Sequence, residues 1–144
     1  DGKASLYEGG TRTLAFVWPR PDGKSKVWNR IFPCWHVADW CELVAGGIDQ
    51  HTAFGNGPEW LRWGVGDTRV CALNKRGWKI IGTHLKTNNP RWEFYRVTRD
   101  PSETDNMLAD GVLNSNQRTW ARRLIRRLSF QVNVQQTFHY LGID

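Results

Sequence analysis

The chain has 144 residues, of which 40% are hydrophobic and 24% charged, and a formal net charge of +6. That length carries one domain with a real core, and that apolar content excludes intrinsic disorder. Three cysteines with no CxxC spacing argue against a disulfide framework and for a reducing compartment, and no apolar run is long enough to span a membrane as a helix. The positive charge favours an acidic partner, nucleic acid first. Nine tryptophans in such a chain predict a shared aromatic core before they predict a ligand site.

Residues 1–12 are polar and Gly-rich, a tail or the end of a helix. The chain opens on Asp1 rather than Met, which predicts a segment cut from something longer. Leu14 to Trp18 and Val27 to Phe32 read as two strands of a hairpin around Pro19-Arg20-Pro21-Asp22-Gly23. Val37 to Val44 reads as a helix closed by Gly46-Gly47. Gly55-Asn56-Gly57-Pro58 is a loop, and Pro58 opens a short helix carrying Trp60, Leu61 and Trp63, broken by Gly64 and Gly66.

Arg69-Val70-Cys71-Ala72-Leu73-Asn74-Lys75 then reads as a helix over 68–75. Asp67 or Thr68 caps its start and Gly77 stops it. Val70 and Leu73 face inward on this reading, which leaves Arg69, Asn74, Lys75 and Arg76 for a partner. Asn and Arg match base edges, and Lys neutralises phosphate. Trp92 to Val97 alternates aromatic and polar residues, a strand signal, and Trp78 to Ile81 reads as its partner strand, joined to it by the polar loop through Asn88-Asn89-Pro90.

After Pro101 the character changes. Met107 to Leu113 reads as a helical piece. Asn116 to Leu128 is a stronger helix, with Trp120, Ala121, Leu124, Ile125 and Leu128 on one stripe and Arg118, Arg122, Arg123, Arg126 and Arg127 around it. The stripe predicts docking on the chain's own core. Arg118, Arg122 and Arg126 are then candidates for phosphate or partner contacts.

Chemistry beyond binding has little to stand on. Cys34, His36 and Cys41 lack the fourth ligand and the spacing of a zinc site, so no metal is expected. No nucleophile elbow, phosphate loop or paired-carboxylate motif surrounds Cys34, Cys41, Cys71, His36, His51, His84, His139, Asp39 or Glu42. Neither an enzyme nor a cofactor is expected.

Four stretches in order resemble the DNA-binding domain of the interferon regulatory factor family. They are Leu14-Ala15-Phe16-Val17-Trp18, Arg30 to Ala38 with Trp35-His36, Cys71-Ala72-Leu73-Asn74-Lys75, and Trp92-Glu93-Phe94-Tyr95-Arg96-Val97. The third matches the family's recognition helix. The resemblance implies an α+β winged helix-turn-helix with a small antiparallel sheet and a Trp-rich core. Its domain would span residues 1–101 with a short or missing first helix, and residues 102–144 would form a helical extension packed on it. It also implies DNA contacts from His36, Arg69, Cys71, Asn74, Lys75 and Arg76.

The family's guanine-reading arginines fall one and three residues before the Cys, where this chain has Val70 and Thr68. Arg69 between them points about 100° away on a helix. That departure is similar to the viral interferon regulatory factors of gammaherpesviruses. It implies weak or non-specific contact with double-stranded DNA and degraded GAAA readout. Host transcription or signalling proteins would be further partners, in the nucleus of the infected cell, and host interferon-driven transcription the target. A host-like activator is disfavoured by the lost arginines. The alternative is a protein-interaction module that kept the fold and lost DNA. Neither residues nor resemblance specify an oligomeric state.

Overall fold

The computed structural model describes residues 5–7, 60–109 and 111–144. The expected hairpin at 14–32, the expected helix from Val37 to Val44, and Trp18, Trp28, Cys34, Trp35, His36 and Cys41 lie outside the described residues. What is described is a small α+β unit. Strands β1 (Trp60–Val65), β2 (Arg69–Asn74), β3 (Trp78–Thr83) and β4 (Arg91–Arg96) precede helices α1 (Ser115–Arg127) and α2 (Val134–Leu141). The strands form one antiparallel sheet in the order β1-β2-β3-β4.

The expected helix at 68–75 is a strand. Val70, Cys71, Ala72 and Leu73 are all buried, so β2 is covered on both faces. A helix on a sheet buries one stripe, whereas an inner strand covered on both sides buries consecutive residues. Val70 and Ala72 join the face that meets α1, and Cys71 and Leu73 join the opposite one. Gly77 ends no helix. It is the third residue of the turn joining β2 to β3, with φ +80°, and its N–H donates to the Asn74 carbonyl at 2.9 Å. A three-residue hairpin loop needs a left-handed residue at that place. A side chain there would also meet Thr98 Cγ2 at 2.5 Å.

Trp60, Leu61 and Trp63 form no helix either. They lie in β1, where Trp60 faces α1 while Leu61 and Trp63 face the other way. Met107 to Leu113 is a turn and an irregular stretch among the described residues rather than helical. The pairing of β3 with β4 follows the expected strands, with Ile80 opposite Phe94 and Trp78 opposite Arg96.

On the first face of the sheet, Val70, Ala72, Trp78, Ile80, Trp92 and Phe94 form one core with Trp120, Ala121, Leu124, Ile125 and Leu128 of the C-terminal segment and Phe138 of α2. The expected apolar stripe is therefore buried, and it docks in cis. Each of its large side chains contributes about 1.5–3 kcal/mol by leaving water. Gly82 makes room for Trp92, whose ring would lie 2.8 Å from a Cβ at that position. An Asn114–Gln117 capping box starts α1, and Arg126 and Arg127 occupy its last turn, where the helix dipole favours cations.

Helix α2, which falls within the expected helical extension but had no bounds of its own, is capped by Asn133 and ended by Gly142 in the left-handed region. The segment after β4 folds back along that strand. Met107 N–H donates to the Phe94 carbonyl, Asn106 Oδ1 accepts from the Phe94 N–H, and the Arg96 carbonyl accepts from Arg99 and Asp100.

Candidate basic–aromatic site

The antiparallel registers gather one end of the sheet. Trp60 opens β1 opposite Asn74 at the end of β2, and Trp78 opens β3 opposite Arg96 at the end of β4. Arg76 lies in the turn between β2 and β3. Helix α1 crosses this end and lays Trp120 against Trp60, ring centroids 6.1 Å apart. Trp78 stacks on Phe94 at 5.2 Å.

Over these rings stand guanidinium groups. Arg96 is 4.4 Å from the Trp78 centroid, Arg123 is 4.9 Å and Arg76 5.3 Å from Trp120, and Arg127 is 5.1 Å from Trp60. Arg62 continues the track along β1. It donates to the Arg127 carbonyl and lies 5.2 Å from the ring of Phe130. A cation over an indole face is held in place while its N–H fork still points outward.

None of Arg62, Arg76, Arg96, Arg123 and Arg127 has a carboxylate partner among the described residues. Burial first, then the neighbouring charges of Arg99 and Arg76, pulls the Arg96 guanidinium below its ordinary value. Two buried donors at this end of the sheet, Asn74 Nδ2 and Trp60 Nε1, meet no acceptor among the described residues. The chemistry available is that of an anion site with several guanidinium forks in one track.

Of the residues expected to contact DNA, the structure brings only Arg76 into this track. Asn74 is 1% exposed, and its Oδ1 accepts from the backbone N–H groups of Arg76 (2.9 Å) and Trp78 (3.0 Å). Cys71 is fully buried in mid-strand. Neither can reach a base edge, which corrects their assignment as reading residues. Arg69 and Lys75 are exposed, at opposite ends of β2, and His36 lies outside the described residues. On α1, Arg122 and Arg126 lean over Phe138 of α2 at 5.4 and 5.8 Å, and Arg118 is exposed one turn earlier. The sequence thus drew attention to one arginine line of the helix, and the tryptophan end is served by the other.

The second face of the sheet holds a polar cluster in an apolar setting. Lys79 Nζ is 2.8 Å from Glu103 Oε1, with both side chains buried, and 5.8 Å from the Trp63 centroid. Glu103 sits in the left-handed region at φ +53°. Nearby on that face, the Tyr7 and Tyr95 hydroxyls both donate to the Glu93 carboxylate, at 2.7 and 2.9 Å. Burial first, then Glu93, pushes the Tyr7 phenol up to about 12 and raises Tyr95 as well. The ion pair and phenol–carboxylate bonds satisfy buried charges. Cys71 lies in β2, His84 in the loop just past β3 and His139 in α2, 3.6 Å from Asp144. No group of three metal-ligating side chains occurs among the described residues.

No protein-family model, no curated protein and no solved structure matches this chain.

Proposed function

We propose that this domain binds nucleic acid through the phosphate backbone, using the arginines that stand over Trp60, Trp78 and Trp120. The observation that carries the reading is the row of Arg76, Arg96, Arg123 and Arg127, which have aromatic supports but no carboxylate partner among the described residues. Guanidinium groups held this way are pre-ordered, so less side-chain freedom is lost when they meet phosphate. The formal net charge of +6 adds long-range attraction.

This reading keeps one half of what the interferon regulatory factor resemblance implies, contact with nucleic acid without GAAA readout. The narrower role, interference with host interferon-driven transcription in the nucleus, stands as a proposal that the arginine row is compatible with. Base recognition by a helix over 68–75 is withdrawn, because that segment is β2.

Anisotropy titrations of labelled oligonucleotides over a range of salt test the reading. Affinity should fall steeply as salt rises. Replacing Arg76 and Arg123 together with Ala should weaken binding to all sequences alike and reduce the salt slope by about one for each phosphate that is no longer neutralised. The same change at Arg118 and Arg122 should do less. Binding that is independent of salt, or unaffected by Arg76→Ala with Arg123→Ala, would overturn it.

A further inference from the structure

Resting on that reading, we infer that the preferred ligand is a single strand, with one unpaired base stacking on Phe130. Phe130 is 52% exposed and lies just past the end of α1. Most large apolar side chains here are covered, so an open phenyl ring at the end of an arginine track needs an account. The other exposed ring among the described residues, Tyr140, is tied down through its hydroxyl, which donates to the Pro90 carbonyl at 3.0 Å and Asn89 Oδ1 at 3.2 Å. Phe130 has no polar atom, and its described ring partner is Arg62.

The order of groups matters. Arg96 and Arg76 lie at the hairpin end, Arg123 and Arg127 follow along α1, and Arg62 links Arg127 to Phe130 through its hydrogen bond to the Arg127 carbonyl. Cations in a line that ends on an open aromatic ring suit a chain of phosphates carrying splayed bases. They do not suit a duplex, whose bases are already stacked on one another. Groove reading would need a helix or ribbon presenting polar side chains. The arginines are anchored on rings instead, and Asn74, the nearest polar side chain, is buried with its Oδ1 taken by its own turn.

The test compares oligothymidylate, a duplex of equal length and an abasic strand of equal length, each titrated against the intact chain at fixed salt. Oligothymidylate should bind tightest. The abasic strand should bind about tenfold more weakly, the loss of one stacked base. Phe130→Ala should lower oligothymidylate affinity to the abasic level and leave duplex affinity and the salt slope unchanged, while Phe130→Tyr should restore it. Circular dichroism melts of the variants check that the fold is intact. Equal binding of abasic strand and oligothymidylate, or no effect of Phe130→Ala, would overturn the single-strand inference while leaving the arginine reading in place. Absence of binding to all three ligands would overturn both.

Discussion

Asn74 shows how a single amide determines a turn. Its Oδ1 takes the N–H groups of Arg76 and Trp78, the second of them buried, and its carbonyl takes that of Gly77. Asn74→Ala strands the two donors, each of which costs about 1–3 kcal/mol if buried without a partner. The melting temperature should drop by several degrees in a thermal scan followed by circular dichroism, and an unchanged value would refute this role. The side chain was misread in the sequence because an Asn between apolar residues and a Lys looks the same before a turn and on a helix surface. Its partners are two and four residues on, and only the extended backbone of β2 brings them round. A second prediction concerns Tyr7. Its phenol titrates near 10.0 when free and is pushed up to about 12 in the fold, so the folded chain holds that proton more tightly. Its contribution to stability is full below pH 10 and is lost as pH rises toward 12. Tyr7→Phe should therefore flatten the decline of stability across that window in urea titrations. An identical slope in the two proteins would count against the burial of Tyr7 beside Glu93.

Among the elements, those with an unambiguous period were legible. Helix α1 announced itself by a stripe at three- and four-residue spacing, and β4 by alternation, with the apolar run of β3 as its partner. β1 and β2 were not legible, because neither carries one period alone. Trp60, Leu61 and Trp63 fit either period, and the continuous run Val70 to Leu73 fits a strand buried on both faces as well as a buried helix. The deciding fact was tertiary, the covering of both faces of β2. Helix α2 carried readable signals, Asn133 before it and Gly142 after it, with Phe138 and Leu141 inward, yet at eight residues it is shorter than most helices. The packing of α1 gives a direct prediction. Leu124 is fully buried between helix and sheet, so Leu124→Ala should cost about 2–5 kcal/mol in chemical denaturation, whereas Arg118→Ala on the open side should cost little. A loss below about 1 kcal/mol at Leu124 would mean that the helix docks loosely.

On the scale of the whole molecule, the candidate site is assembled by register. Arg76, Arg96 and Arg123 are separated by 20 and 27 residues in the chain, and no local pattern joins them. The sequence could show the charge, and it could show that 118–127 was rich in arginine. It could not show which line of that helix would meet the tryptophans, because that depends on where β1 and the β2–β3 turn lie beneath it. The backfolded segment after β4 has one more consequence, for self-association. A sheet grows by offering the free amides and carbonyls of its last strand to another chain. On the outward side of β4 the Phe94 amide and carbonyl and the Arg96 carbonyl are already occupied by residues 99–107. A second molecule arriving there would have to strip away bonds that the first has made to itself. Strand-by-strand polymerisation is therefore blocked at Phe94 and Arg96 along this border.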